Sequence, residues 1–350
     1  MKSSVRRRCT VQNQAILLAK RPVGLPGPDT FQFVSSDIPE PREGQVLIRT
    51  LWLSVDPYMR GRMNDVKSYT PPFPVGEPIR GGGIGEVVAS RHPAYRPGDL
   101  ITGDLPWQLY ALSDGRGIRP VDPNLRPVTA ALGVVGMTGL TAYFGLLEVG
   151  RPKPGETVVV SGAAGAVGSV AGQLAKMNGC RVVGVAGSNE KIRYLTEELG
   201  FDAGINYKTD DLRSALRDAC PNGIDVYFDN VGGPVTDAVL FQMNDFGRIV
   251  LCGQIAAYNL ERPEVGPRLF PLFVMRRLCA QGFIVSDFAR RFDEGLRRLA
   301  AWHQSGRLKC RETVVEGFER LPDAFLGLFR GDNIGKLLVK VAEPSQPARA

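Results

Sequence analysis

The sequence predicts an α/β protein, a doubly wound parallel sheet joined to a mostly β lobe, and three observations carry that prediction. From about residue 154, short apolar runs such as "GETVVVSG", "CRVVGVAG", "GIDVYFDNVGG" and "GRIVLCGQ" alternate with segments of helical period. That alternation is the grammar of a parallel sheet covered by helices on both faces. Residues 12–128 read differently, as short or alternating apolar runs ("QVLIRTLWLSV", "GIGEVVA") broken by Pro and Gly clusters, which is β. Finally, the run "VVVSGAAGAVGSVAGQLAK" passes from strand through small residues straight into a helical pattern.

In chain order, "PREGQVLIR", "YRPGDLITG" and "DGRGIRPVD" are turn–strand units of the first lobe. In the second, the helical segments "AVGSVAGQLAKMN", "NEKIRYLTEEL", "DDLRSALRDAC" and "PVTDAVLFQM" separate the strands, with "DAGINY" third and "CAQGFIVS" sixth. An amphipathic helix is expected around Phe292–Ser305. After it, "CRETVVEGFERLPDAFLGLFRGDNIGKLLVKV" returns to strand, helix and strand and is expected to rejoin the first lobe. The expected division is 1–128, 129–305, a return over 306–343, and a disordered tail over 344–350. The opening "MKSSVRRRC" is also expected to be a disordered basic tail, since no apolar stretch follows it to make a secretory signal. At 350 residues, two lobes can each bury a core.

Composition excludes several function classes. No apolar run approaches the roughly 20 residues that span a bilayer, so no membrane partner is expected. The net charge of +7 is spread as pairs and triplets, such as Arg6–Arg8, Arg276–Arg277 and Arg290–Arg291. No aromatic-interleaved basic stripe is present, so no nucleic-acid partner is expected either. Arg60 and Arg62 read as members of structural salt bridges. Six cysteines are scattered with no C-x-x-C, and the two histidines, His92 and His303, read as surface residues. No metal site is expected from such spacing, and reduced cysteines suit a cytoplasmic location.

The small-residue loop reads as a phosphate cradle. In Ala163-x-Gly165-x-x-Gly168 the first small residue is expected to make the turn. Gly165 lets the backbone approach a pyrophosphate, and Gly168 lets the helix pack on the strand. The free N–H groups at the helix start then face the anion. The second strand ends "VAGSNEK", where Gly187 and Ser188 leave room and Glu190 falls within the next helix; Ser188 and Lys191 are placed to hold a 2′-phosphate, which favours NADP(H) over NAD(H). Tyr207 and Lys208 end the third strand, Asn230 with Gly232–Gly233 the fourth, and Cys252–Tyr258 the fifth. Phe283–Val285 is expected within the sixth. Strand ends are where such a sheet presents its ligand crevice.

These stretches resemble the zinc-independent branch of the medium-chain dehydrogenase/reductase superfamily. Within it they are most similar to leukotriene B4 12-hydroxydehydrogenase/prostaglandin reductases, plant alkenal reductases and bacterial NADPH-dependent curcumin reductases. The markers are "LSVDPYMRGRM", "GVVGMTGLTAYFGLLEVG", "KPGETVVVSGAAGAVGSVAGQLAK", "YFDNVGG", "GRIVLCGQIAAYN", "AQGFIV" and "GLFRGDNIGKLLVKV", spread over residues 14–341. The curcumin-reductase type matches through "VDPYMRGRM" and "SYTPPFPVG".

The resemblance implies a GroES-like β domain around an inserted Rossmann NADP-binding domain, and a homodimer. It assigns the pyrophosphate to Gly165, Ala166, Val167 and Gly168, the 2′-phosphate to Lys191, and the adenosine end to Tyr207. Asn230, the run Cys252, Gly253, Gln254, Ile255, Ala256, Ala257 and Tyr258, the run Phe283, Ile284 and Val285, and Asn333 line the rest of the cofactor. The "GHE" motif of the zinc enzymes is replaced here by "IRGGGIGEV" at 79–87.

The expected reaction is NADPH-dependent reduction of the double bond of an α,β-unsaturated aldehyde or ketone, of 2-alkenal, curcumin or 15-oxoprostaglandin type. Hydride adds to the β-carbon, and a hydrogen-bond donor stabilises the enolate. Tyr258 is the first candidate donor and Tyr58 the second, as donor or substrate wall; Met137 is placed at the nicotinamide end. Secondary-alcohol oxidation, quinone reduction and a non-enzymatic, crystallin-like NADPH- or RNA-binding role stay open on the sequence.

Overall fold

The computed structural model describes residues 12–345, so the basic opening stretch and residues 346–350 of the expected tail lie outside the described residues. The chain first lays down β1 (Asn13–Leu18), β2 (Phe31–Ser36) and β3 (Val46–Ser54), then a short helix α1 (Tyr58–Arg62). Four strands follow: β4 (Arg80–Ser90), β5 (Leu100–Pro106), β6 (Tyr110–Ser113) and β7 (Ile118–Pro120). Helix α2 (Met137–Phe144) leads into the alternating half: β8 (Thr157–Ser161), α3 (Ala166–Met177), β9 (Arg181–Ala186), α4 (Asn189–Arg193), β10 (Ala203–Asn206) and α5 (Leu212–Ala219). It continues through β11 (Ile224–Asp229), α6 (Gly233–Leu240), β12 (Met243–Leu251), α7 (Phe270–Arg276) and β13 (Cys279–Gly282). The chain ends in α8 (Phe292–Gln304), β14 (Glu312–Glu316), α9 (Leu321–Arg330) and β15 (Lys336–Lys340).

Six strands form a wholly parallel sheet in the order β10-β9-β8-β11-β12-β13. That order reverses between β8 and β11, and the reversal opens a crevice at the strands' carboxyl ends. β8 sits at the centre because its side chains tolerate burial on both faces: all five residues are buried, with Val158, Val159 and Val160 fully so. Each such valine contributes about 1.5–3 kcal/mol. Helices are stopped and started locally. Lys191 N–H donates to Ser188 Oγ at the start of α4, and Ser214 N–H to Asp211 Oδ1 at the start of α5.

The second sheet is mixed, in the order β14-β15-β3-β4-β5-β7, with β6 also on β3. β15 runs antiparallel to β3, so the chain's last strand closes the first lobe, and α9 buries Leu321 and Phe325 in that lobe's core. A separate cluster joins the lobes, from Leu51 and Ile84 of the mixed sheet to Val158 and Val160 of the parallel one.

Several local expectations change. α1 interrupts the stretch read as β, because tertiary packing overrides weak local preference, and α2 and α7 are helices on which no expectation fell. β13 ends at Gly282, so Phe283–Val285 follows the sixth strand instead of lying in it. The tail does not begin at 344: Ser345 N–H donates to Glu86 Oε2 at 3.0 Å and Arg49 reaches Glu343 O at 2.6 Å. His303 is half-buried, with both ring nitrogens at 3.2 Å from carbonyl oxygens, those of Leu308 and Arg126. His92, half-buried too, packs on Tyr95 at 5.2 Å. No helix among the described residues is long and apolar enough to cross a membrane.

Candidate functional site: an interlobe cavity at the sheet reversal

One cavity of ≈ 750 Å³ lies between the lobes and reaches the carboxyl ends of β8 to β13. Its floor begins at β8. There the turn is made by Gly162 (φ +58), not by Ala163, which is fully buried; a positive φ excludes alanine far more than glycine. Gly168 is required by contact: a Cβ there would stand 2.4 Å from Gly162 O. α3 starts at Gly165 without a side-chain cap. The first-turn N–H groups of Ala166, Val167 and Gly168 therefore meet the cavity, whose wall includes all four residues. An uncapped twelve-residue helix behind a close glycine turn fits a bound diphosphate.

At the end of β9 and β10 the wall is cationic. Lys191, Tyr207 and Lys208 all line it, and Gly187 leaves room for the Tyr207 ring, which lies 3.0 Å from where a Cβ would be. Lys191 Nζ donates to Gly331 O at 2.7 Å, tying this lobe to the end of α9. Burial, then the neighbouring Lys208, holds the Lys191 ammonium below its ordinary pKa. Ser188 is spent on capping α4 and does not line the cavity.

The opposite end is built from neutral hydroxyls. Tyr58, Tyr69 and Tyr258 line it, with Met137 at the start of α2, 41% exposed. Burial is the main cause that raises all three phenols above the ordinary value, seconded by Asp56 at Tyr58 and by Tyr258 at Tyr69. They stand as protonated donors. Cys252 lines the same end, its thiol pushed up to about 12 by burial and then by Asp229. Gly253, Ile255, Ala256, Asn230, Phe283, Ile284, Val285 and Asn333 are in the wall; Gln254 and Ala257 are not. The Gln254 side chain turns down to Asp229, and Ala257 lies exposed in the turn before Tyr258.

Among the wall residues that sequence reasoning did not single out are Tyr69, Asp56 and Lys336. Tyr69 comes from a loop whose only sequence signal is "SYTPP". Asp56 and Lys336 form an ion pair at 2.8 Å with side chains 6% and 5% exposed, and Lys336 also donates to Val55 O at 3.2 Å. They are 280 residues apart, which only the closure of β15 on β3 brings together. Arg60 makes no salt bridge among the described residues. It is buried, with Nε 3.0 Å from Asn259 Oδ1 and Nη2 2.8 Å from Gly24 O. Arg62 lies 4.0 Å over the Phe73 ring.

The parallel sheet, its glycine turn and the facing β lobe define a two-lobed dinucleotide-binding α/β protein. Residues 14–121 match a family described as the N-terminal domain of oxidoreductase, and 166–301 one described as zinc-binding dehydrogenase. No group of three or more His, Cys, Asp or Glu is placed to hold a metal among the described residues. YfmJ of Bacillus subtilis (strain 168), whose name assigns it to the NADP-dependent oxidoreductases, is 54% identical over 96% of this chain and all of its own. The NADPH-dependent curcumin reductase of Escherichia coli (strain K12) is 44% identical, covering 95% of this chain and 97% of its own. Prostaglandin reductase 1 of Mus musculus is 44% identical over 94% and 99%. The crystal structure of CurA from Vibrio vulnificus in complex with NADPH superposes with a TM-score of 0.90 at 44% identity, covering 95% of this chain and all of that one. The chain belongs to the zinc-independent medium-chain dehydrogenase/reductase superfamily, in the branch of the curcumin and prostaglandin reductases.

Proposed function

We propose that this protein reduces the carbon–carbon double bond of α,β-unsaturated aldehydes and ketones with NADPH. Its standing as an NADP(H)-dependent oxidoreductase that reduces double bonds follows from its family. The observation that carries the substrate class is the set of half-buried, protonated phenols of Tyr58 and Tyr258 sharing one cavity with the uncapped α3 start. When bound, NADPH supplies the hydride.

The chain's own residues do the rest. Gly165–Gly168 hold the diphosphate through backbone N–H groups. Lys191, beside Tyr207 and Lys208, takes the 2′-phosphate, exchanging its bond to Gly331 O for a charged acceptor. Asn230, the Cys252–Tyr258 loop, Phe283–Val285 and Asn333 wall the cofactor along the crevice. Tyr258 donates to the carbonyl oxygen of the substrate, stabilising the negative charge that develops there once the β-carbon accepts hydride. Tyr58 and Met137 wall the substrate from the facing lobe. The domain division proposed is 1–128 with 306–343 around 129–305. The free cysteines Cys180, Cys220, Cys252, Cys279 and Cys310 suit a reducing cytoplasm.

We also propose a homodimer through the exposed edge strand β13 and the adjoining α7, where Phe270 is 80% and Val274 78% exposed. A monomer in sedimentation at micromolar concentration would remove that reading.

The test of function is NADPH consumption across enones and enals of increasing chain length, with product identification, for wild type and Tyr258→Phe. Saturated carbonyl products are expected, with turnover about ten-fold or more lower in the variant, near 1.4 kcal/mol, while NADPH still binds. Wild-type turnover in Tyr258→Phe removes the tyrosine's role; oxidised alcohols without enone reduction remove the substrate class.

A further inference from the structure

Beneath the crevice lies a carboxylate that neither the cofactor cradle nor the tyrosines account for. Asp229 ends β11 and is fully buried, and no cation pairs with it among the described residues. It instead collects hydrogen bonds from four segments. Its Oδ1 accepts from Ser161 Oγ at the end of β8, from Tyr227 Oη within its own strand, and from the N–H groups of Val231 and Gly232, all at 2.9 Å. Its Oδ2 accepts from Thr236 Oγ1 of α6 at 2.8 Å and from Gln254 Nε2 of the loop after β12 at 2.9 Å. The main chain repeats the link, since Asp229 O accepts from Cys252 N–H at 2.9 Å and from Gly253 N–H at 3.0 Å. Burying an unpaired carboxylate is costly unless every lone pair is used, so these donors are fixed in place by the charge they satisfy.

We infer that Asp229 is the positioning residue of the hydride-transfer end, a buried anchor that sets the Cys252–Tyr258 loop, and with it Tyr258, against the reversal point of the sheet. The inference rests on the reductase reading above for its functional consequence and on the hydrogen-bond geometry alone for its structural content. Two observations place the lever on the loop. Gln254 reaches Asp229 with its side chain while its own N–H donates to Tyr258 Oη at 3.4 Å. Gly232 (φ +78) is packed under Gln254, whose Oε1 stands 2.1 Å from where a Cβ would be. Asn230, which lines the cavity, is held from the same point: its N–H donates to Ser161 Oγ, the group that in turn donates to Asp229. In Asp229→Asn one accepting oxygen becomes a donor, which must face either Gln254 Nε2 or the Val231 and Gly232 N–H groups.

Hydrogen–deuterium exchange on the full-length protein tests this without turnover, in Asp229→Asn and in Gln254→Leu, which removes the side-chain bonds of Gln254 to Asp229 and to Gly253 O and leaves the carboxylate in place. The expected result is exchange of the 253–258 amides at least ten-fold faster than wild type, with Val158–Val160 of β8 unchanged. Wild-type exchange at 253–258 in both variants overturns the inference. If Asp229→Asn also loosens β8, the fold has been lost, and Gln254→Leu decides. Steady-state kinetics give the second arm: kcat falls at least ten-fold in either variant while the NADPH dissociation constant moves less than three-fold. Equal loss in both quantities, or in neither, overturns a positioning role. A wild-type protein that reduces no enone defeats the reductase reading instead, and the exchange arm still decides whether Asp229 anchors the loop.

Discussion

At one end of the cavity the wall is made of backbone N–H groups from the first turn of α3 and the ammonium groups of Lys191 and Lys208. At the other it is made of the phenols of Tyr58, Tyr69 and Tyr258, above the buried Asp229. The first end presents positive potential that water can partly reach, so it favours an anion that arrives already charged. The second carries half-buried hydroxyls held neutral, with Tyr69 61% exposed at its rim, so it suits a charge that exists only as a reaction proceeds. On the function proposed above, the difference teaches how one cavity would bind and react: cations and a helix start for an anion already charged, neutral donors for a charge that develops.

Three tests bear on that contrast. The buried end has one ion pair, Asp56–Lys336, and breaking it leaves an uncompensated carboxylate in the wall. Lys336→Met should lower stability by about 3–5 kcal/mol, read by denaturant unfolding; a loss below about 1 kcal/mol would mean that water relieves the charge and that this end is not dry. At the exposed end, Lys191→Ala should weaken NADPH binding by about ten- to a hundred-fold, as expected for a hydrogen bond worth about 1.5–3 kcal/mol to a charged group. NADH binding should hardly change in fluorescence titration, and equal weakening of both would assign Lys191 a merely structural contact with Gly331.

The smallest effect is in pH. Burial raises the Tyr58 and Tyr258 phenols above the ordinary value of 10.0. The donor form is therefore complete below that value and is lost only as pH rises through the higher folded value. Any alkaline fall in single-turnover reduction should be centred above pH 10. An alkaline fall centred at or below it, with NADPH saturating, would show that this end is as wet as the other.

Much of the cradle was legible in the sequence because its chemistry is local. "VVVSGAAGAVG" places a buried strand, a glycine turn and an uncapped helix start within a dozen residues. Even so, the turn fell on Gly162 and not on the neighbouring Ala163, since a small side chain does not reveal which residue takes positive φ. Lys191 was legible from its spacing after β9, but its bond to Gly331, 140 residues on, was not. Tyr258 could be nominated from its strand end, whereas Tyr69 could not. Its loop carries no period, "SYTPPFPVG" marks only a resemblance and gives the tyrosine no role, and the approach of the lobes brings it beside Tyr258.

What the sequence determined by itself is the strand–helix alternation after residue 154, the glycine turn with its uncapped helix start, and a cofactor of the NADP(H) type. Each rests on residues close along the chain, where periodicity and backbone preference act directly. Tertiary structure alone decided the Asp56–Lys336 pair, the burial of Arg60 on neutral partners and the ring of donors around Asp229. The reason is that burial and pairing across sheets depend on which distant segments share a low-dielectric space, and no local pattern encodes that distance.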